Sequence, residues 1–175
     1  VYGRRLNIFL EGARRAVART IACQWPDGCM PYREGRGSTI NYTSLVLWCL
    51  MNALEVLPDH DRRVLEGSGD LAAVQDRACA YLRESIDDDG RLRWEERETS
   101  TAKFNLWTYL ITGNVLWRRG GEANQAAAAR VLGQAFRLRT ASGLLPMRDR
   151  GEEITECAFM QADMLLFLER ITSSC

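Results

Sequence analysis

The chain has 175 residues, 46% hydrophobic and 26% charged, enough for one domain with a substantial core. Its formal net charge is zero and its pI about 6.8, which excludes the broad basic field that nucleic acid or an anionic membrane surface would require. No run approaches the ~20 apolar residues of a membrane span, and Val1-Tyr2-Gly3-Arg4-Arg5 lacks a signal peptide's apolar core.

The missing initiator Met points to a chain that is trimmed or cut from a longer one. Positive charge is carried by 22 Arg and a single Lys, Lys103, which singles that lysine out. The cysteines (Cys23, Cys29, Cys49, Cys79, Cys157, Cys175) fall mostly inside predicted helices without framework spacing. They are expected to act as small buried apolar residues in a reducing, cytoplasmic setting. A lone His60 and the absence of a CxxC pair argue against zinc.

In chain order, Leu6 to Cys23 reads as an amphipathic helix, with Leu6, Phe9, Leu10, Ala13, Ala16 and Val17 on the inward face. After a glycine loop, Ser38 or Thr39 caps a helix to about Leu57 that carries no charge between Asn41 and Leu54. A short charged piece, Asp61 to Glu66, follows. Asp70 caps a helix to about Ser85, with Leu71, Val74, Ala78, Tyr81 and Leu82 inward. A second glycine loop leads through Ser100 or Thr101 into a helix uncharged from Phe104 to Trp117. An alanine-rich helix runs from Glu122 to about Arg139. A third glycine loop then precedes a last helix, about Glu153 to Ile171, with Phe159, Met160, Met164, Leu165, Phe167 and Leu168 as its core and Asp163 interrupting it.

The three glycine loops say nearly the same thing: Asp27-Gly28-Cys29-Met30, Asp89-Gly90-Arg91-Leu92 and Ser142-Gly143-Leu144-Leu145. Each reaches an acid six positions after its glycine (Glu34, Glu96, Asp149), and the copies align without gaps up to the next helix. Glycines at positions 28, 90 and 143 give a period suited to αα-hairpin repeats. Three repeats result, at about residues 6–57, 61–119 and 121–172 of a single domain. Helices before each loop are amphipathic and those after it apolar on most sides. The expected fold is therefore all-α, three αα-hairpins in two layers, with a plain helix bundle as the alternative.

Arg77-Ala78-Cys79-Ala80-Tyr81-Leu82-Arg83-Glu84-Ser85-Ile86, followed by three aspartates and Gly90-Arg91-Leu92, resembles the repeat of the α/α-toroid enzymes, the terpenoid cyclases and protein prenyltransferase β-subunits. That repeat runs basic–small–x–x–aromatic–aliphatic–x–x–x–Gln and then Gly-x-Trp. Here Ile86 stands for the Gln and Leu92 for the Trp. The first repeat keeps Gln24 and Gly28 with Met30 at the Trp position, and the third keeps Gly133, Phe136 and Gly143 with Leu145 there. The resemblance implies either a half-toroid completed by a second half-toroid domain or by a homodimer, or three hairpins that close by themselves. It also implies a cavity at the starts of the inner helices. Six-hairpin carbohydrate-active α/α barrels share this loop grammar. The cyclase DxDD and DDxxD patterns and the prenyltransferase zinc set do not appear, and Asp87-Asp88-Asp89 reads as a turn opening.

Equivalent positions give the candidate site. Four after each glycine stand Tyr32, Trp94 and Met147, as plugs sealing the loop or as a ligand-stacking ring. The acids Glu34, Glu96 and Asp149 either complement a helix dipole and pair with neighbouring arginines, or act as converging general acids and bases. Thirteen after each glycine, Asn41, Lys103 and Glu156 open apolar helices; the two ionisable ones either stay solvated at helix ends or, if buried in one cavity, demand a partner and shift a pKa. Catalysis, where present, is assigned to Glu96, Glu156 or Lys103.

Three readings follow: a cavity for an apolar, isoprenoid-like ligand; a carbohydrate-active enzyme with paired carboxylates among Glu34, Glu96, Asp149, Glu152, Glu153 and Glu156; and a non-catalytic helical-repeat interaction module. A small-molecule ligand is expected in the first two and a partner chain in the third.

Overall fold

The helices expected from periodicity ahead of the third glycine loop are all present in the computed structural model. It describes residues 2–31, 40–67, 69–94, 105–149, 161–162 and 165–166, side chains of 2–7 excepted. The described chain is all-α: α1 (Tyr2–Ala22), α2 (Ile40–Val56), α3 (Asp59–Glu66), α4 (Leu71–Glu84), α5 (Leu106–Arg119) and α6 (Glu122–Arg137). Residues 161–162 and 165–166 are also helical, and the rest of the last expected helix lies outside the described residues. No described helix is long and apolar enough to cross a membrane.

Local chemistry sets the boundaries. Asp70 caps α4 as expected, its Oδ1 accepting from the Ala73 amide at 2.9 Å. Gly120 and Gly121, at φ +74° and +82°, turn α5 back into α6, and the Asn124 side chain donates to the Gly120 carbonyl. Gly113 lets α6 approach α5 closely, since a Cβ there would stand 2.4 Å from Leu132 Cγ.

Burial separates α5 from α4 and α6 as their patterns require, but α2, expected to be buried on most sides, buries one face (Ile40, Thr43, Ser44, Leu47, Leu50 and Met51) and leaves Cys49 and Val56 exposed. α5 is buried without a break from Thr108 to Leu116. α4 and α6 bury one face each, Leu71, Val74, Ala78, Tyr81 and Leu82 on the first and Ala127, Ala128, Val131, Leu132 and Ala135 on the second. α2 and α5 lie side by side and parallel: Asn41 meets Thr108, Ser44 meets Thr112 and Asn52 meets Arg118, numbers rising together along both helices. Two of these pairs set hydroxyls into the seam, the Ser44–Thr112 pair 2.7 Å apart and buried.

The three glycine loops form one structural device. In each, the glycine amide donates to the carbonyl three positions back (Gly28 to Trp25, Gly90 to Asp87, Gly143 to Thr140), and that residue's amide donates four positions on. All three glycines have φ between +83° and +92°, a conformation that favours glycine. Two positions on, Met30, Leu92 and Leu145 are buried at 1%, 4% and 1% exposure. Each of their amides donates to a side chain of the helix that follows: Thr43 Oγ1, Tyr109 OH and Gln161 Oε1. The apolar plug therefore sits two positions after the glycine. Of the residues four after it, Met147 is 41% exposed, which corrects its assignment as a plug, whereas Trp94 is half-buried and packs against the core.

Three further expectations change. α2 is helical by Ile40, whereas α5 begins only at Leu106, which is one helical turn further from Gly90 than Ile40 is from Gly28. The gapless alignment therefore fails in the second copy. The cap is Asn105, not Ser100 or Thr101: its Oδ1 accepts from the Trp107 amide, and its backbone is held extended in a bridge to Arg148. Lys103 therefore precedes α5 instead of opening it. On α1, Phe9 is 74% exposed and Ala16 is exposed, and near the C-terminal end Leu165 is 66% exposed. All three were expected inside, and nothing in the described chain covers them.

Candidate functional site

Where the second and third loops meet the first turn of α5, three side chains converge. Tyr109 OH donates to Asp149 Oδ2 at 2.6 Å, and Trp94 Nε1 donates to the same oxygen at 3.3 Å. The Trp94 and Tyr109 rings are 6.4 Å apart and tilted by 58°. The phenol oxygen in turn accepts from the Leu92 amide at 3.2 Å. The third loop is pinned here by its backbone as well: Leu106 donates to the Met147 carbonyl and Asn105 bridges to Arg148.

Burial, reinforced by the hydrogen bond to Asp149, holds the Tyr109 hydroxyl well above the usual phenol range. It is therefore a fixed proton donor and no base. Asp149 Oδ1 is buried and has no hydrogen-bond partner among the described residues, although the other oxygen of the same carboxylate takes two donors. A carboxylate oxygen accepts hydrogen bonds, so this one is suited to a hydroxyl, an amine or water. On the neighbouring side of the same turn, Thr108 Oγ1 donates to Asn41 Oδ1 at 3.2 Å.

Of the sequence-predicted site residues, the structure brings Trp94 and Asp149 together. It ties Asn41 to the α2–α5 seam and leaves the Met147 side chain at the surface while its carbonyl anchors α5. Tyr32, Glu34, Glu96, Lys103 and Glu156 lie outside the described residues. The expected role of Asp149 as an arginine counterion is corrected: among the described residues it forms no ion pair, and its filled acceptor is taken by neutral side chains, while the start of the helix whose dipole it was to complement lies outside the described residues. Tyr109, the hub of the cluster, was missed. A tyrosine in an uncharged helix reads as packing, and no pattern near it in sequence marks its hydroxyl.

The opposite ends of α2 and α5 are chemically different. Arg118, 8% exposed, reaches Glu55 Oε1 at 2.7 Å and Asn52 Oδ1 at 2.9 Å, and Arg119 pairs with Asp76 at 2.7 Å. Two adjoining clefts of about 180 and 450 Å³ open there, sharing Leu54, Gln75 and Arg119. Both arginines already have partners within the fold. Buried Cys79 packs as a small apolar residue, its thiol pushed up to about 11 by burial despite Arg119 and Arg83. Among the described residues no cluster of His, Cys, Asp and Glu is suited to a metal ion.

The chain matches no protein-family model, no curated protein and no solved structure.

Proposed function

We propose that the chain binds a hydroxyl-bearing small molecule at the loop end of α5, with Asp149 as acceptor and Trp94 as an aromatic face beside it. The observation that carries this reading is the buried, unpartnered Oδ1 of a carboxylate whose other oxygen is fixed by Tyr109 and Trp94. A bound hydroxyl satisfies that oxygen, and a hydrocarbon chain does not. Of the readings the sequence allows, the carbohydrate-type one therefore ranks first. One carboxylate supplies a binding group or half of an acid–base pair, and the reading is limited to binding.

Tryptophan fluorescence and calorimetric titration with a panel of neutral oligosaccharides, against an isoprenoid alcohol, test this. Saccharide binding that weakens by about tenfold or more in Asp149→Asn supports it, because the buried acceptor is then replaced in part by a donor. Preference for the isoprenoid alcohol, or saccharide binding indifferent to both Asp149→Asn and Trp94→Leu, contradicts it.

A further inference from the structure

The three loop glycines share a turn but not their surroundings. A Cβ at Gly28 would stand 2.2 Å from the Arg77 carbonyl oxygen on α4, and a Cβ at Gly90 2.2 Å from that of Arg130 on α6. Arg77 and Arg130 each stand thirteen positions before the next loop glycine, Gly90 and Gly143 respectively. The chain thus makes one junction twice, a loop glycine pressed against the next amphipathic helix in a single register. Gly143 adopts the same turn, yet it is exposed and no described atom lies within 4 Å of its Cβ position.

The matching surface stands at the other end of the molecule. The residue thirteen before Gly28 is Arg15, on α1. Twelve before each later glycine, Ala78 and Val131 are fully buried, while the residue in that register on α1, Ala16, is exposed. Nineteen before each, Leu71 is 5% exposed and Asn124 half-buried, while Phe9 on α1 is 74% exposed.

We propose that a second copy of this chain docks head to tail, its α1 laid across the Gly143 loop in the register that α4 and α6 use against Gly28 and Gly90. The occupant follows from continuity: the chain already holds this interface at two internal junctions and exposes one half of it at each end. Inside the chain, Asn124 meets Arg83, and in the same register Phe9 of the incoming copy meets Phe136. Gln24 Oε1 accepts from Arg77 at 2.8 and 3.0 Å at the first junction, whereas the third loop offers Arg139 to Arg15. That like-charge contact makes the association weak and concentration-dependent. The contact is heterologous, so each copy uses one edge of each kind and two copies that satisfy both edges close a ring. The assembly is independent of what the Asp149 site binds.

Sedimentation velocity across a wide concentration range, on the intact chain, tests it. Wild type is expected to shift reversibly from the 19.8 kDa monomer to larger species beginning with the dimer. Ala16→Arg, a substitution at an exposed helical position, abolishes the shift with circular dichroism unchanged. Arg139→Gln, which restores the residue found at Gln24, tightens it several-fold. A monomer at every concentration, in wild type and in Arg139→Gln alike, overturns the proposal and leaves the edge to a different chain. Association that survives Ala16→Arg overturns it as well.

Discussion

Gly28 and Gly90 serve two purposes where Gly143 serves one. All three hold a left-handed turn, but only the first two also let the loop touch the backbone of the next helix. The turn is local and repeats wherever the sequence does. The close approach depends on a neighbour, so among the described residues it marks the two loops that a later helix packs against and the one that none does.

The largest expected effects test that division. Gly28→Ala and Gly90→Ala force a methyl against a carbonyl oxygen in a conformation already unfavourable for alanine, and each lowers unfolding free energy by about 2–5 kcal/mol in urea titration. Gln24→Ala, which removes hydrogen bonds at the first junction alone, produces a smaller loss and leaves the second junction untouched.

Tyr109→Phe comes next, because the second loop relies on one phenol where the first relies on Thr43. Its loss strands the buried Leu92 amide and removes the strongest donor to Asp149, for about 2–4 kcal/mol. The pH dependence carries a definite sign. The folded phenol ionises above the ordinary 10.0, so its contribution is complete below pH 10.0 and is lost as the pH rises toward the folded value. Wild type loses stability across that alkaline window, and Tyr109→Phe loses less. Thr43→Val, which frees only the Met30 amide, costs about 1–2 kcal/mol with no alkaline signature.

The smallest effect belongs to the seam between the parallel helices. Ser44→Ala and Thr112→Val each remove one buried hydrogen bond, for about 1 kcal/mol, and the double variant costs less than the sum.

The loops, the Asp70 cap and the inward face of α4 were legible because each depends on residues close in sequence. The start of α5 was not. Ser100, Thr101 and Asn105 are all competent caps, and the choice is made by Arg148 and Met147, far along the chain in the third loop, which hold Asn105 and Leu106. Phe9 and Ala16 were misplaced for a related reason: amphipathic spacing shows which face is apolar, and only the neighbours decide whether that face is covered. Two of the three converging side chains were visible, since the repeat singled out Trp94 and Asp149. Tyr109 was not, because its hydroxyl draws its partners, the Leu92 amide and the Asp149 carboxylate, from two different loops.

The most direct measurement compares Gly90→Ala with Gly143→Ala by urea unfolding in the Ala16→Arg background, which keeps the third edge uncovered. With only turn strain at stake, Gly143→Ala is expected to cost about 1–2 kcal/mol, and Gly90→Ala at least twice as much. Equal losses would mean that both glycines serve the turn alone, and would contradict the account of one junction made twice and left open a third time.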